Sequence, residues 1–536
     1  MGSTVEVLAD AFKQMGTPFI VGHPGGESVE LMEAARERDM RFILMKQEVA
    51  GAMLAATWGE ITGSPGVCLS TRGPGAANMV NGVAHAMLDR APLIAITDRY
   101  SNVAQEVGLR QKIDQKAIYA PVVKWSTTID AEAVHQQIRK AVRVATGRPP
   151  GAIHFDMPQS QTTLEAKSLT NPPPLVQKRK TLEPNDQSIA SAVAMIKKST
   201  KPILVVGLGI FWDAAHSELV ELAEALGAPV LTTSKCKGAI PEDHPLRAGC
   251  IIGGIIEREL VNQGDLIITL GLDPIELQPK PWPYDITVLA INSCTDQDAL
   301  VVQDEELVGD VGGILRTLLR QLRGRGDWGY SVAEKFREDV RCALDIKTRG
   351  LSPQRAMEVV RAMTPRSTLA TCDAGASRLL VVQKWESYGP REFLTSNGLG
   401  SMGFAIPGAL AAKLAHPDRP VFAFTGDGGL LMAVAELQTS VKENLPITIV
   451  VLDDEEIGLI RVKQEIKQID RYGVGIGGID WESLAQGFGA NGIVVSTEAE
   501  LQSAITASLA STKTNLIAVK IDGSCYVDQF NALREL

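Results

Sequence analysis

Residues 421–460 read VFAFTGDGGLLMAVAELQTSVKENLPITIVVLDDEEIGLI, and this stretch decides the fold. It begins with an apolar run that ends at Thr425, followed by Gly-Asp-Gly-Gly at 426–429 and a segment with helical spacing. A second apolar run, 447–452, leads directly into the acidic residues 453–456. Two buried strands joined through a helix form a parallel βαβ unit, in which both strands end at the same edge of the sheet. The two acidic groups are therefore predicted to meet at that edge.

The residue types at this edge suit a divalent cation that binds a diphosphate. Mg2+ prefers oxygen ligands in octahedral geometry and commonly takes one or two carboxylates together with phosphate oxygens. Asp427 and Asp454 would each supply a carboxylate, and the backbone carbonyl of Glu456 would supply a third ligand. Gly428 and Gly429 would let the backbone approach the phosphates, and their N–H groups at a helix start favour an anion. Gly-Asp-Gly alone also fits a plain turn, but the second acidic cluster favours the cation site.

The same alternation of strands and helices extends along the chain and predicts an α/β protein with three doubly wound parallel-sheet domains. A segment with three consecutive prolines and a basic cluster, 166–186, is predicted to be a linker. The predicted domains are residues 1–165, 187–325 and 345–536. The predicted strands are 18–22, 42–45, 66–70 and 92–97, then 203–210, 229–232, 266–270 and 287–291, then 367–372, 421–425, 447–452 and 516–521.

Composition indicates a globular protein and argues against nucleic acid and membrane as partners. The 536 residues are 45% hydrophobic and 22% charged, with a formal net charge of −10. No basic stripe is long enough to follow a phosphate backbone. No apolar run reaches the ~20 residues that span a bilayer, and the N-terminal residues lack the layout of a signal peptide. The seven scattered cysteines form no CxxC pair and fit reduced thiols, so a cytoplasmic location is expected.

The sequence resembles the thiamine-diphosphate (ThDP) enzymes and, among them, the acetolactate synthase branch. That family carries Gly-Asp-Gly and later an Asn; here Asp427 is followed 27 residues later by Asp454 at the Asn position. The resemblance covers essentially the whole chain and implies a pyrimidine-binding, a central and a diphosphate-binding domain. A carboxylate at 454 adds negative charge beside the diphosphate, although it is a better Mg2+ ligand than an amide. It would weaken diphosphate binding or shift the metal preference.

The resemblance also assigns further residues to the cofactor site. The segment 45–52 is similar to the family's His-Glu-x-x-Ala-Ala, which gives Glu48 the role of hydrogen-bonding the aminopyrimidine ring and activating the cofactor. From its position alone, Glu48 fits a solvent-exposed residue at a helix start equally well. Met402 would be the apolar wedge under the two cofactor rings, although a methionine is more often core filler. Matching segments further imply cofactor contacts by Pro24, Gly25, Pro74, Asn78, Gly400, Ile457, Gly458 and Leu459, and a catalytic role for Gln111.

The sequence departs from acetolactate synthase at several positions where that branch contacts its substrates. The segment 373–377 lacks the Gln-His that follows the matching glycine in that branch. Arg110 replaces an aromatic residue, Lys463 stands where the biosynthetic enzymes carry Trp, and Glu27 replaces a small residue. We hypothesise that Arg110 and Lys463 face the pocket and favour a substrate with an extra anionic group, such as a carboxylate. The alternative, that both side chains point into solvent, fits the sequence equally well.

The central domain raises the question of FAD. Its Gly207-Leu208-Gly209 turn is similar to the FAD-holding domain of acetolactate synthases and pyruvate oxidase. The family's Gly-x-Arg-x-x-Asp segment, however, runs here from Gly271 to Glu276 without the arginine. A lone glycine turn after a strand is weak evidence for a nucleotide, so we do not expect FAD.

The resemblance implies a ThDP- and Mg2+-dependent enzyme that decarboxylates a 2-oxo acid and joins the resulting enamine to a second carbonyl. A simple 2-oxo acid decarboxylase and a C–C lyase similar to 2-hydroxyacyl-CoA lyase are alternatives. A degenerate binding protein is a further alternative, against which Glu48, Met402 and Asp427 argue. Family members build each active site from two chains, so a homodimer or homotetramer acting on a 2-oxo acid or related carbonyl substrate is expected.

Overall fold

Three α/β units follow one another along the chain, and each is built on a six-stranded sheet. The computed structural model describes residues 2–167, 174–175, 183–295, 300–322, 324 and 326–534. All strand pairs within the three sheets are parallel. The inner strands are buried on both faces, so helices must cover both sides of each sheet. The predicted fold class is confirmed.

The first unit contains six strands, β1 (Phe19–His23), β2 (Arg41–Leu44), β3 (Gly66–Ser70), β4 (Leu93–Arg99), β5 (Trp125–Thr128) and β6 (Ala152–Pro158). Its helices are α1 (Thr4–Gln14), α2 (Val29–Arg36), α3 (Glu48–Thr62), α4 (Pro74–Leu88), α5 (Asn102–Val107), α6 (Gln115–Tyr119), α7 (Val134–Ala145) and α8 (Gln159–Thr162). The spatial order is β2-β1-β3-β4-β6-β5. The direction of winding reverses between β1 and β3, and such a reversal opens a crevice at the carboxyl edge.

The second unit contains β7 (Pro202–Val206), β8 (Val230–Thr232), β9 (Arg247–Cys250), β10 (Leu266–Leu270), β11 (Val288–Asn292) and β12 (Glu305–Val308). Its helices are α9 (Asp186–Lys198), α10 (Gly209–Trp212), α11 (His216–Leu226), α12 (Ile255–Val261) and α13 (Val311–Leu319), and α14 (Trp328–Leu344) leads to the third unit. The order is β12-β11-β10-β7-β8-β9, which places the reversal between β7 and β10.

The third unit contains β13 (Leu369–Cys372), β14 (Phe393–Thr395), β15 (Val421–Gly426), β16 (Thr448–Asp453), β17 (Asn491–Val495) and β18 (Asn515–Lys520). Its helices are α15 (Pro353–Met363), α16 (Ala376–Lys384), α17 (Ala405–Ala415), α18 (Asp427–Ala433), α19 (Glu436–Lys442), α20 (Gly458–Ile466), α21 (Trp481–Gly487), α22 (Glu498–Ala510) and α23 (Tyr526–Leu533). The order β14-β13-β15-β16-β18-β17 repeats that of the first sheet. The reversal lies between β13 and β15, beside Asp427.

Each of the twelve predicted strands corresponds to an observed one, with ends that differ by a few residues at most. The prediction 203–210 is too long, because β7 stops at Val206. The backbone N–H of Gly209 then donates to the carbonyl of Gly271, which turns the chain into α10. Most of the predicted linker, 166–186, lies outside the described residues. Among those described, no helix is long and apolar enough to cross a bilayer.

The first and third units share one apolar core, in which α3 packs against α17. Both helices are rich in small residues, with sequences EVAGAMLAATWGEIT and AIPGALAAKLA, so their backbones approach closely. The second and third units share another core, which joins β7 and β10 to α15 and α16. Burial is therefore continuous across the unit boundaries, and the carboxyl edges of the sheets are held in fixed relative positions.

Buried charges fix the point where the three units meet. Lys235 of the second unit lies 2.6 Å from Glu60 and 3.4 Å from Asp89, both in the first unit, and its side chain is 2% exposed. Asp89 also accepts the backbone N–H of Asn397 in the third unit at 2.7 Å. Burial disfavours the charge on Asp89, but Lys235 and then His85 outweigh it and hold the pKa of this carboxyl well below its usual range.

Replacing Lys235 by methionine should destabilise the fold strongly. The substitution keeps the volume but leaves Glu60 and Asp89 buried without their cation, and removing one partner of a buried ion pair costs about 3–5 kcal/mol. We expect the thermal unfolding midpoint of Lys235→Met to fall by several degrees. The exposed pair Lys335–Asp339 provides the control, because Lys335→Met should leave the midpoint nearly unchanged. Equal midpoints for the two variants would contradict this role of Lys235.

Candidate active site at the carboxyl edges of the first and third sheets

Two acidic residues follow neighbouring strands of the third sheet. β15 and β16 pair in register up to Gly426 and Leu452, Asp427 opens α18, and Asp454 follows β16 directly. In each of the two acids, the Oδ2 oxygen is buried and has no hydrogen-bond partner among the described residues. A buried carboxylate oxygen without a partner is costly, and two of them at one sheet edge fit a divalent cation.

The electrostatics of this pair agree with a cation between them. Burial raises the pKa of Asp427 to about 6, and the charge of Asp453 contributes in the same direction. Burial also raises the pKa of Asp454 to about 7, with repulsion from Asp427 as the next cause. Both carboxylates are thus hard to ionise together in the protein alone, and a bound cation would offset that cost.

The neighbouring Asp453 is already engaged and does not take part in this arrangement. Its carboxylate accepts the indole N–H of Trp481 at 2.6 Å and lies 2.8 Å from Lys520 Nζ. Successive side chains along a strand point to opposite faces, so the side chain of Asp454 points away from that of Asp453. A Cβ on Gly458 or on Gly523 would lie 3.0 Å from Asp454 Oδ2, so both glycines make room for this carboxylate.

The side chain of Glu456 turns away from the acidic pair. It lies 2.8 Å from Arg461 and 3.1 Å from Arg471, so its carboxylate is committed to two cations. The sequence analysis assigns only the backbone carbonyl of Glu456 to the metal, so these ion pairs of the side chain are compatible with that assignment. No group of three His, Cys, Asp or Glu side chains suited to a metal occurs among the described residues. A cation here would therefore depend on two carboxylates, a carbonyl and oxygens from its ligand.

Met402 lies beside the glycine turn that opens α18. A Cβ built on Gly428 would lie 3.4 Å from Met402 Cε and 3.1 Å from Ile476 Cδ1, so the three residues are in contact. Gly400 has φ +67°, a left-handed conformation that glycine adopts without strain. The segment that carries the predicted wedge is thus placed against the segment predicted to bind the diphosphate.

Asp373 is a buried carboxylate of this site that the sequence analysis did not single out. It follows β13 and accepts the backbone N–H groups of Phe404 and Ala405, at 2.6 and 3.0 Å, at the start of α17. Its other oxygen accepts the Thr425 hydroxyl at 2.7 Å, and a Cβ on Gly429 would lie 2.5 Å from that oxygen. Burial raises its pKa to about 6. The sequence does contain a pattern that could have identified Asp373, an acidic residue directly after a buried strand, which is the pattern that identified Asp427.

Glu48 begins α3 at the carboxyl edge of the first sheet. Its side chain is partly buried, and Asn78 of α4 donates to its Oε2 at 3.3 Å. A Cβ on Gly75 would lie 3.1 Å from Glu48 Oε1, so the turn at Pro74 comes close to this carboxylate. The structure therefore brings together three residues that the sequence assigned to the cofactor site.

The loop after β1 packs against the same turn. A Cβ on Gly25 would overlap the side chain of Thr71, which places the segment at Pro24 beside the start of α4. Glu27 forms an ion pair with Arg72, and the Arg72 guanidinium lies 3.8 Å from the centre of the Tyr100 ring. Glu27 is therefore bound within its own domain.

The remaining predicted catalytic and substrate residues lie on the surface of the single chain. Gln111 has φ +56° and is exposed, with its Cβ 3.0 Å from the position of a Cβ on Gly73. Arg110 and Lys463 are both exposed. Their assignment to a substrate stays a prediction.

The two sheet edges are linked within one chain. The backbone N–H groups of Lys46 and Gln47 both donate to the Glu436 carboxylate at 3.0 Å, directly before Glu48. Asn81 of α4 accepts the Ser401 hydroxyl at 2.9 Å, next to Met402. The face of α4 that carries Pro74, Ala77, Asn78 and Asn81 is nevertheless exposed.

The carboxyl edge of the second sheet is occupied by two carboxylates of the protein itself. Glu276 accepts the backbone N–H of Leu208 at 2.8 Å, so a turn donor suited to a dinucleotide phosphate is already used. Asp273 stands where the family has arginine, and Arg90 binds both of its oxygens at 2.7 and 3.1 Å. These residues do not fit the diphosphate of FAD.

Comparisons with known proteins agree with the fold. Models of the N-terminal TPP binding domain, the central domain and the C-terminal TPP binding domain of thiamine pyrophosphate enzymes match residues 3–118, 189–318 and 373–519. A probable acetolactate synthase large subunit of Methanocaldococcus jannaschii is 29% identical, covering 96% of this chain and 91% of the relative. Acetolactate synthase isozyme 1 large subunit of Escherichia coli is 28% identical, covering 96% and 93%, and an acetolactate synthase of Bacillus subtilis is 26% identical, covering 98% and 94%. With three sheets, one for each matched domain, the chain belongs to the thiamine pyrophosphate enzyme family, in its acetolactate synthase branch.

Proposed function

We propose that the protein is a ThDP- and Mg2+-dependent enzyme that decarboxylates a 2-oxo acid and transfers the remaining acyl carbon unit to a second carbonyl. The observation that carries the proposal is the pair of buried, unpartnered Oδ2 oxygens of Asp427 and Asp454. They lie at the edge of the domain that matches the C-terminal TPP binding domain. The carboligation step is supported by acetolactate synthase relatives that cover nearly the whole chain.

Each part of the site has a distinct task in this proposal. When bound, ThDP supplies the electron sink that carbonyl carbanion chemistry requires. Asp427, Asp454 and the Glu456 carbonyl would hold Mg2+. The N–H of Gly429 would bind the diphosphate, and the N–H of Gly428, which donates to Asp427 Oδ1 at 2.7 Å, would have to turn to it. Gly400, Ile457, Gly458 and Leu459 would border the cofactor, and Met402 would contact its rings.

In this proposal, residues of the first domain exchange a proton with the aminopyrimidine ring of the cofactor and orient that ring. Glu48 holds a proton at its carboxyl against the aminopyrimidine, and Asn78, which donates to it at 3.3 Å, fixes its orientation. Pro24, Gly25 and Pro74 shape the ring pocket. Gln111 contacts the reacting groups, and its position beside Gly73 supports that role.

We further propose a homodimer or homotetramer whose active sites are shared between chains. The exposed face of α4 and the exposed Met432, which is 57% accessible on α18, support this proposal because both flank predicted cofactor residues. Some relatives are named large subunits, which supports an assembly with several chains. The seven cysteines are all free, which supports a cytoplasmic location.

The central domain in this proposal holds no FAD. The buried carboxyl of Glu276 and the Asp273–Arg90 pair support this, since a flavin diphosphate would lie beside two acidic side chains. If the protein purified in the presence of added FAD shows the absorbance bands of a bound flavin, the proposal that the central domain holds no FAD is wrong.

Incubation with ThDP, Mg2+ and single or paired 2-oxo acids should give CO2 and a 2-hydroxyketone. Mass spectrometry of the products identifies the acyl donor and the acceptor. An aldehyde without a hydroxyketone would favour a simple decarboxylase instead. ThDP binding without CO2 release from any 2-oxo acid would favour a C–C lyase.

Replacing Asp427 by asparagine should weaken Mg2+-dependent ThDP binding. The substitution removes one of the two carboxylates that face the cation, so we expect a loss of about tenfold or more in ThDP affinity at fixed Mg2+. Titration of tryptophan fluorescence with ThDP, with and without chelator, measures this. The exposed Glu455 offers a matched control, since Glu455→Gln removes the same charge near the site. Equal affinities for the two variants would count against the metal site.

Replacing Glu48 by glutamine should stop catalysis without loss of cofactor binding. The amide cannot hold the proton that the carboxyl exchanges with the pyrimidine, so kcat should fall by about 100-fold or more. Deuterium exchange at the thiazolium carbon, followed by NMR, should slow in parallel. Glu132→Gln, at a side chain that is 74% exposed, serves as control. Unchanged exchange in Glu48→Gln would remove this residue from the mechanism.

A further inference from the structure

A cavity of about 690 Å3 lies between the second and third domains. On one side it is bounded by the ends of β9 and β10, through Ile251, Ile252 and the segment 274–279. On the other side it reaches Gly400 and Leu459, which are predicted cofactor contacts. Its volume falls in the range typical of small-molecule sites, and it opens beside the cofactor segments.

Two arginines line this cavity. Arg378 projects from α16, and Arg534 follows α23. Arg378 donates to the side-chain oxygen of Asn397, and the Nε of Arg534 is buried without a hydrogen-bond partner. In the part of the chain that the structure describes, neither arginine forms an ion pair.

The two cations are close enough to influence each other. Burial lowers the pKa of Arg534 and the charge of Arg378 lowers it further, while the charge of Glu257 acts in the opposite direction. Burial likewise lowers the pKa of Arg378. Two like charges that face one cavity, each half-buried, are unfavourable in the protein alone, and a bound anion would offset both their repulsion and their desolvation.

The acidic side chains near the cavity are occupied elsewhere. Glu276 also lines it, but its oxygens accept the N–H groups of Leu208 and Asp273 and the Thr233 hydroxyl, and burial raises its pKa to about 8. Glu257 accepts the N–H groups of Ile252 and Gly253, at 2.6 and 2.8 Å. Among the described residues, neither carboxyl forms an ion pair with Arg378 or Arg534.

We propose that Arg378 and Arg534 bind a second anionic group, remote from the reacting carbonyl, on a substrate of this enzyme. The inference rests on the proposed function and names its substrate class, a carbonyl acid with an additional carboxylate, sulfonate or phosphonate. A planar guanidinium suits all three anions, because it donates two parallel N–H groups. The apolar wall formed by Leu379, Val382 and Phe530 suits the carbon chain between the two ends.

The site differs from the one that the sequence favoured for the same substrate class. Arg110 and Lys463 are exposed, whereas Arg378 is inside a cavity that reaches the cofactor segments. The chain has Ala376 and Ser377 where the acetolactate synthase branch carries Gln and His, and the arginine follows directly. Two small residues thus replace larger polar ones beside the new cation.

The first test compares substrates of similar length with and without the second anion. The three pairs are 2-oxoglutarate with 2-oxopentanoate, 3-sulfopyruvate with pyruvate, and 3-phosphonopyruvate with pyruvate. For at least one pair, we expect the wild-type enzyme to release CO2 from the acid with the second anion at the higher kcat/KM. Arg378→Gln should lower that preference by about 10- to 100-fold, mainly through KM, since a charge-assisted hydrogen bond is lost. Arg378→Lys should restore part of it. Arg341→Gln, at a side chain that is 59% exposed, is the control.

The three pairs of acids separate the possible anions, since the preferred pair identifies carboxylate, sulfonate or phosphonate. A wild-type enzyme that prefers the acids without a second anion would overturn the proposal. So would a loss in Arg378→Gln that is equal for both members of a pair. Arg534→Gln should reproduce the effect and provides a second variant if the first does not fold.

A binding measurement without the cofactor separates this proposal from the proposed function. Succinate, 2-sulfoacetate and phosphonoacetate, each without the reacting carbonyl, should raise the thermal midpoint of the wild-type protein. The same additions should have at most half that effect on Arg378→Gln. If no 2-oxo acid is decarboxylated but this difference is found, the anion site stands and the proposed reaction fails. Equal shifts in both proteins, or none in either, would overturn the anion site.

Discussion

Parallel strand pairing is the constraint on which the rest of this structure depends. Every strand of a parallel sheet ends at the same edge, so the loops that follow the strands must gather there. Asp373, Asp427 and Asp454 follow β13, β15 and β16, and all three arrive at one edge without being close in sequence. Glu48 reaches the corresponding edge of the first sheet after β2. The chemistry of the site is therefore a consequence of topology together with a few acidic residues at strand ends.

The role of each of these acidic residues depends on the hydrogen bonds and ion pairs that its carboxylate already makes. Asp453 is paired with Lys520 and Trp481, and Asp373 is saturated by three donors. Only Asp427 and Asp454 of this group keep a buried oxygen without a described partner. The position of each acid at a strand end brings the four acids together. Their hydrogen bonds then distinguish the acids that stabilise the fold from the two that are suited to a cation.

The sequence predicted the inner strands well and the outer ones poorly. Of the six strands that were not predicted, five lie at a sheet edge: β5, β9, β12, β14 and β17. An edge strand is half exposed or very short, so its apolar run is weak; β17, for example, alternates between exposed and half-buried positions. The remaining one, β6, is fully buried, and its histidine and aspartate hid the apolar pattern.

The candidate site shows the same division. Glu48, Met402 and Asp427 lie in motifs of fixed spacing, so the sequence alone could single them out as candidates. Arg378 and Arg534 are 156 positions apart and meet only through the packing of α16 and α23 around the cavity. No local pattern marks such a pair. Contacts of this kind depend on tertiary packing and become visible only in three dimensions.

The two charged groups of the site are associated with different cofactor segments. The acidic pair Asp427 and Asp454 stands next to Met402 and the α18 turn, and the arginines face the cavity that extends past Gly400 and Leu459. An acid with an anion at each end is attracted by the arginines and repelled by any uncompensated charge of the carboxylates. In the proposed site the arginines would hold the remote anion in the cavity, which would place the reacting carbonyl toward the cofactor segments. Opposite charges placed in this way select an orientation as well as a substrate class.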